Sequence, residues 1–438
     1  MLPGERVAVW GLGREGRAAL ALLRRDDPHR PVLAFDEAEA AEVVPELAGI
    51  EVIRSADGIA AALDHIDTIV KSPGVSLYHP LVEAARKKGV RITSLLNLWF
   101  AEHARLTTIC VTGSKGKSTT AALIAHILNR LGQEAALVGN IGVPITATDA
   151  GTAGCAVIEV SSYQAADFAG MCDIAVLTSL FPEHLDWHRS VENYYRDKLN
   201  LLRHCRHAII ARAAAETVAR SSGSLPALLA PDPAAIHWRE DAFIFDGATP
   251  VGEVRNRYLA RPHNLANLCV ALSVARLRGL DPSAALAAAE DFRGLPHRQQ
   301  ELGERDGILF VDDSISTTPE STLAALAVYA GRRIAVILGG YDRGIDYSGL
   351  AAALAGGAAA AAVCLGASGA RIGAAVGAAA NSACTMRRVS SMAEAVASAA
   401  RLARPGGVVL LSPAAPSYGH YRDFTERGHD FAMQAGFA

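Results

Sequence analysis

The chain has 438 residues, half of them hydrophobic and a fifth charged, with a formal net charge of −3. That is the balance of a globular protein of two to three domains. It excludes two partner classes, because no block of like charge marks a nucleic-acid surface and no stretch of about 18 apolar residues marks a membrane span. Seven cysteines are scattered singly without a CxxC pair, which fits free thiols packed as small apolar side chains in a reducing cytosol. The opening Met1–Arg6 has no charged-then-apolar signal pattern, so a cytoplasmic protein is expected.

Val7–Trp10 reads as a buried strand. Gly11-Leu12-Gly13-Arg14-Glu15-Gly16 follows it and opens a helix over Glu15–Arg25. The next strand, Val32–Phe35, ends at Asp36, 20 positions past Gly16. In this setting GxGxxG is a phosphate-binding turn: glycines let the backbone approach a pyrophosphate, a helix N-terminus favours the anion, and the acid reaches a ribose or base. By itself the turn fits NAD or FAD, another nucleotide diphosphate, or plain tight packing. A strand over Thr68–Val70 leads to Ser72-Pro73-Gly74 at its carboxyl end, where open α/β sheets bind ligands, although a simple turn reads equally well there.

Strand Thr108–Val111 leads into Thr112-Gly113-Ser114-Lys115-Gly116-Lys117-Ser118-Thr119, with a helix expected over Thr120–Leu131. Backbone N–H groups of such a loop wrap phosphate oxygens. Lys117 offers charge to the terminal phosphates, and the Ser118 hydroxyl faces Mg²⁺. The spacing departs from GxxxxGK[ST], since Val111 stands at the first glycine position. Glu159 ends a strand over Ala156–Val160 and precedes Ser161-Ser162, well placed for Mg²⁺. After strand Ala175–Thr178, His184 lies in Phe181-Pro182-Glu183-His184-Leu185-Asp186, either a metal ligand or a structural residue.

Residues 221–235, rich in Gly, Ser and Pro, read as surface loops. A strand over Ile308–Val311 opens a last segment with further strands over Ala335–Leu338, Ala362–Leu365 and Val408–Leu411. The Ala-rich stretch Ala351–Ala362 is helical in character but broken by glycine. The alternation implies an α/β protein with mostly parallel sheets, divided into domains over 1–95, 96–298 and 299–438.

Taken in order, Thr112–Thr119, Glu159–Gln164, His184–Asp186, Lys198, His263-Asn264, Leu295–Arg298, Asp313-Ser314 and Ser412–Ser417 resemble the Mur ligases along essentially the whole chain. The GxGxxG turn, Ser72-Pro73-Gly74 and Gly139-Asn140-Ile141-Gly142 resemble the glutamate-adding member. The resemblance implies a Rossmann-like N-terminal domain binding UDP rather than NAD, a central P-loop ATPase domain and a Rossmann-like C-terminal domain receiving the amino acid. It implies that Gly13, Arg14, Asp36, Ser72, Pro73 and Gly74 hold UDP, and that Asn140 and Ser161 touch the muramoyl-peptide. Gly113, Ser114, Lys115, Gly116, Lys117, Ser118 and Thr119 would hold ATP, with Asn264 and Asn267 at adenine, Arg298 at the γ-phosphate and Asp313 at the ribose. Ser118, Glu159, His184 and Lys198, the last as a CO₂-derived carbamate, would hold two Mg²⁺ ions. Thr317, Arg343, Ser417, Tyr418 and Phe424 would form the glutamate pocket, where Ile315 stands in place of a lysine that many relatives carry.

The implied reaction is ATP-dependent addition of glutamate to UDP-N-acetylmuramoyl-L-alanine through an acyl phosphate, in peptidoglycan precursor synthesis, by a monomer. Gly13–Arg17 and Asp313–Ser316 are similar to relatives that add L-glutamate, but also occur in enzymes adding D-glutamate. Both isomers stay open. Two rival readings are a nicotinamide oxidoreductase, from Gly11–Gly16 and Asp36, and a non-catalytic nucleotide-binding regulator.

Overall fold

The computed structural model describes residues 2, 5–25, 27–37, 47, 49–140, 145–147, 154–221, 236–239, 241–378 and 382–437. Two expectations fall largely beyond them: the loops over 222–235, and the Ile141-Gly142 half of the Gly-Asn-Ile-Gly run, lie outside the described residues. The chain forms two compact units, Met1–Phe292 and Arg293–Ala438. Residues 293–298, read with the middle segment from sequence, therefore group with the second unit.

The first unit holds two parallel sheets. In the N-terminal one, β1 (Val7–Trp10) lies between β2 (Val32–Phe35) and β4 (Thr68–Lys71), with β3 (Val52–Ile53) and β5 (Arg91–Thr93) at the edges. The chain runs outward from β1 to β2 and β3 and then crosses to β4 on the other side of β1, so the crevice between the carboxyl ends of β1 and β4 is a topological switch point. In the second sheet β6 (Thr107–Thr112) lies between β8 (Cys155–Glu159) and β9 (Cys172–Leu177). Here β7 (Ala135–Gly139) and β10 (Cys205–Ile210) form the edges. A small antiparallel sheet follows, β11 (Ile236–Trp238), β12 (Phe243–Asp246) and β13 (Thr249–Glu253).

Helix Leu95–Glu102 joins the two large sheets. Ser94 caps it by accepting from the Asn97 N–H, and Leu95, Leu96, Leu98, Trp99 and Phe100 are all buried. A helix apolar on nearly every side needs cover on every side. Here it belongs to one hydrophobic cluster reaching from Val7 and Leu20 to Ile158, Phe168 and Leu199.

In the second unit β14 (Gln300–Arg305) runs antiparallel to β15 (Ile308–Asp312). The sheet continues in parallel through β19 (Val408–Leu411), β16 (Ile334–Leu338), β17 (Ala361–Cys364) and β18 (Thr385–Arg388). Gln300 pairs with Asp312, so the chain enters this unit at the carboxyl edge of the parallel strands. The Ala351–Ala362 stretch is helical only through Ala355. Its remainder turns at Gly356-Gly357 and becomes β17, because alanines between apolar strands pack as well in a buried sheet as in a helix.

Candidate active site

The glycine turns and Glu159 of the first unit hang from the carboxyl ends of strands, while Lys198, Asn264 and Asn267 stand on helices. After β1, the Leu12 N–H donates to Asp36 Oδ2 (2.9 Å), so the acid at the end of β2 fastens the glycine turn. Ser72, after β4, donates to the Gly11 carbonyl (2.6 Å). A Cβ on Gly16 would sit 1.8 Å from that same carbonyl, which is why only glycine lets the helix start so close to the turn. The helix spans Arg14–Arg24, and Gly13 and Arg14 are exposed at its start. Beside them lies a cavity of about 350 Å³ lined by Gly11, Asp36, Gly74 and, from the other sheet, Asp186 and Trp187.

Beneath it runs a buried polar seam. Lys71 Nζ lies 3.2 Å from Asp167 Oδ2, with both side chains almost wholly buried. Gln164 donates to Glu15 (2.7 Å) while its carbonyl oxygen accepts from the Ser161 N–H, and Ser161 caps helix Ser162–Ala166. Burial pushes the carboxyls of Asp167 and Glu15 above the usual range, and Lys71 partly offsets it for both.

The phosphate-type loop follows β6. Gly113 has φ +149°, and a Cβ there would lie 2.1 Å from Thr178 Oγ1. Thr178 and Ser179, beyond β9, brace the loop: Thr178 donates to the Lys115 carbonyl (2.6 Å), and Ser179 Oγ accepts from the Lys115 N–H (2.8 Å). The following helix spans Lys117–Arg130, three residues earlier than the sequence reading, so Lys117, Ser118 and Thr119 form its first turn. Lys117 Nζ donates to the carbonyls of Gly113 and Ser114, each at 2.9 Å. Lys198 Nζ, 1% exposed, donates to the same Gly113 carbonyl (2.8 Å). Burial, then repulsion from Lys117, pushes its amine well below the usual lysine range.

Glu159 closes this group from β8. Asn140 donates to its Oε1 (2.8 Å), while Oε2 is buried without a hydrogen-bond partner. His184 sits in the left-handed region at φ 54°, heading helix Leu185–His188. Burial lowers its imidazole pKa; nearby Glu183 opposes this, while Lys117 and Lys198 add to it. Lys115 pairs with Glu183 at 2.7 Å. Asn264 and Asn267, on helix Pro262–Leu277, are buried and bonded to protein. Asn264 donates to the Tyr258 carbonyl and accepts from Asn267, and Asn267 accepts from Thr120 on the loop's helix.

In the second unit Asp313 follows β15 and accepts from Ser412 (2.7 Å) and the Gln299 N–H (3.1 Å). Burial raises its carboxyl to about 6. Arg298 Nε is buried without a partner. Ser314 donates to the Phe424 carbonyl (2.7 Å), and the buried Arg427 donates to Ser314 and to the Ala415 carbonyl. Ser417 is buried and Thr317 half-buried, while Tyr418 and Arg343 are exposed. Tyr418 stands edge-on to Tyr341, ring centroids 6.4 Å apart.

Three stretches match known domains in order: residues 5–94 the Mur ligase MurD-like N-terminal domain, 111–224 the Mur ligase middle domain, and 297–415 the Mur ligase glutamate ligase domain. The chain is 41% identical to a protein of Xanthomonas axonopodis pv. citri named UDP-N-acetylmuramoyl-L-alanine--L-glutamate ligase, covering 100% of this chain and 96% of that one. The chain belongs to the Mur ligase family.

A protein of Salinispora tropica with the same name is 40% identical over 99% of this chain and 97% of its own. Among solved structures, UDP-N-acetylmuramate-alanine ligase MurC from Thermotoga maritima superposes with a TM-score of 0.60 at 19% identity, covering 98% of this chain and 99% of that one. MurF from Acinetobacter baumannii gives 0.54 at 18% identity, covering 98% and 89%. These two share the fold. As a Mur ligase the chain is an ATP-dependent amide-forming enzyme of peptidoglycan precursor synthesis, which removes the oxidoreductase and regulator readings.

Several groups at this Mur ligase site were not singled out in sequence. Thr178 and Ser179 carry no motif of their own. His188 and Asp197 are buried and bonded to each other at 2.7 Å. Their spacing, four positions from His184 and one from Lys198, was the signal the sequence offered.

Proposed function

We propose that this Mur ligase joins L-glutamate to UDP-N-acetylmuramoyl-L-alanine, with cleavage of ATP to ADP and phosphate. The meeting of Lys117 and Lys198 at the Gly113 carbonyl, with the bare Glu159 Oε2 at the end of the neighbouring strand β8, carries this reading, and the names of the full-length relatives supply the substrates. A carboxylate does not condense with an amine at neutral pH, because its oxygen is a poor leaving group. The alanine carboxylate of the muramoyl substrate attacks the γ-phosphorus, ADP departs, and an acyl phosphate forms. The glutamate amine then attacks that carbonyl and phosphate leaves.

The Gly113–Thr119 backbone and Lys117 hold the terminal phosphates as charge shifts in transfer. Gly11–Arg14, Asp36 and Ser72–Gly74 bind the UDP end, and Asn140 and Ser161 orient the alanine carboxylate. Asn264, Asn267, Asp313 and Arg298 serve the nucleotide. The exposed Arg343 clasps the glutamate side-chain carboxylate, with Thr317, Ser417, Tyr418 and Phe424 around it.

The residues fit Mg²⁺. Glu159 presents a buried carboxylate oxygen without a partner, and the lowered pKa of His184 keeps its ring neutral with a lone pair free. Among the described residues no three His, Cys, Asp or Glu gather as a metal cage. Ser118, phosphate oxygens and a carbamate on Lys198 would complete the sites. Such a carbamate needs a neutral amine to attack CO₂, which the depressed pKa of Lys198 provides. Bound, the two ions would neutralise charge on the transferring phosphoryl group.

No helix among the described residues is long and apolar enough to cross a membrane. The enzyme works as a cytoplasmic monomer. The test is phosphate release with each glutamate isomer, with and without the muramoyl substrate. Release requiring L-glutamate and UDP-N-acetylmuramoyl-L-alanine together is expected. Turnover with D-glutamate alone refutes the stereochemistry, and turnover indifferent to the muramoyl substrate refutes the reaction.

A further inference from the structure

A chain of hydrogen bonds ties together the three elements that present Glu159, His184 and Lys198. Ser162 lies three residues past Glu159, His188 one helical turn past His184, and Asp197 next to Lys198. His188 is fully buried; its Nδ1 lies 2.7 Å from Asp197 Oδ2 and its Nε2 3.0 Å from Ser162 Oγ. A carboxylate only accepts, so His188 Nδ1–H donates to Asp197. In the neutral ring Nε2 then accepts from the Ser162 hydroxyl.

The chain continues into the N-terminal sheet's loop. The Tyr78 hydroxyl lies 2.8 Å from both Asp197 oxygens and itself accepts from Arg196 Nη2 (2.8 Å). Ser76 donates to the Trp187 carbonyl (2.7 Å), and Trp187 Nε1 donates to the Pro73 carbonyl (3.0 Å). One loop after β4 thus both lines the 350 Å³ cavity, through Gly74, Val75 and Ser76, and grips the helix of His184 and the helix of Lys198.

We propose that His188 is a positioning residue that fixes Glu159, His184 and Lys198 relative to one another, and that Tyr78 couples this register to the nucleotide-binding loop of the N-terminal sheet. The proposal rests on the Mg²⁺ reading above. A ring clamped at both nitrogens cannot rotate, so the ends of three elements share one geometry. Groups that orient metal-binding side chains are typically worth about 10–100-fold in metal affinity.

The test is Mn²⁺ binding by electron paramagnetic resonance to the full chain, with a non-hydrolysable ATP analogue. It is read beside the ¹³C signal of a Lys198 carbamate in labelled bicarbonate and the melting temperature. His188→Phe should weaken Mn²⁺ roughly 10–100-fold and diminish the carbamate signal. His188→Asn, which keeps a donor near Asp197, should recover part of both. Tyr78→Phe, at a half-buried position, should keep the melting temperature within a few degrees and still weaken Mn²⁺. A lowered melting temperature with wild-type Mn²⁺ affinity in all three variants would reduce the network to a structural role and overturn the proposal. Absence of nucleotide-dependent Mn²⁺ binding in the wild type would instead overturn the Mg²⁺ reading, and the positioning role with it.

Discussion

Replacing Lys71 by methionine keeps most of its volume but leaves Asp167 alone in the interior. The pair is 3.2 Å apart with side chains 0% and 6% exposed, and neither Asp167 oxygen has another hydrogen-bond partner. At an effective dielectric constant of about 20 the attraction at that distance is roughly 5 kcal/mol, most of it spent on desolvation. Removing one partner strands the other charge, and the expected loss is about 3–5 kcal/mol. The loss depends on pH. The Asp167 carboxyl already lies above its ordinary value because of burial, and without Lys71 it rises further. The folded state then keeps a proton that the unfolded chain releases, so stability falls as pH rises from the unfolded value towards the folded one. Glu15, also raised and also offset by Lys71, acts in the same direction. Urea unfolding followed by circular dichroism should therefore show a larger deficit at about pH 8 than at about pH 5. Lys71→Met/Asp167→Leu should recover much of it, since a well-packed apolar pair replaces a buried ion pair at little loss. A deficit under about 1 kcal/mol, or one unchanged across pH, would refute the reasoning.

The remaining predictions concern the site. Gly113→Ala would force a methyl to within 2.1 Å of Thr178 Oγ1; a loss of about 1–3 kcal/mol in thermal unfolding and a raised KM for ATP are expected, and a wild-type melting curve would contradict the crowding. Lys198→Ala should lower kcat about 10²–10³-fold, the scale of one lost electrostatic contributor, with partial recovery in acetate; unchanged kcat would remove the carbamate. Asp313, raised to about 6 by burial, holds a proton in the fold that the unfolded chain has released, so its contribution weakens stability as pH climbs from about 4 to 6. Asp313→Asn should therefore gain melting temperature relative to wild type over that interval, and parallel curves would count against it.

Much of the architecture was readable because buried parallel strands are continuous apolar runs. Val7–Trp10, Val32–Phe35 and Val408–Leu411 fall on observed strands residue for residue. β14 escaped because Gln300–Arg305 is a polar edge, and β18 because Thr385–Arg388 ends in two arginines on an exposed flank. The loop residues of the site carried their own signature in glycine and lysine. Lys71–Asp167 and Tyr78–Asp197 did not, since each joins positions about a hundred residues apart whose meeting depends on how two sheets share helix Leu95–Glu102. Lys198 carried no local signature; only the resemblance marked it, and only packing buries its amine and pushes it well below the usual lysine range.

The reversed course of β14 has a mechanical corollary. An incoming chain that arrived at the opposite rim would be separated from Asp312 and Asp313 by the length of the sheet. Here the leading residues His297 and Arg298 arrive beside Asp312 and Asp313, and His297 Nδ1 is bonded to Asp312 Oδ2 at 2.7 Å. A displacement of that leading segment is therefore passed directly to the Asp312 and Asp313 carboxylates, through the His297 ring and the Gln299 N–H.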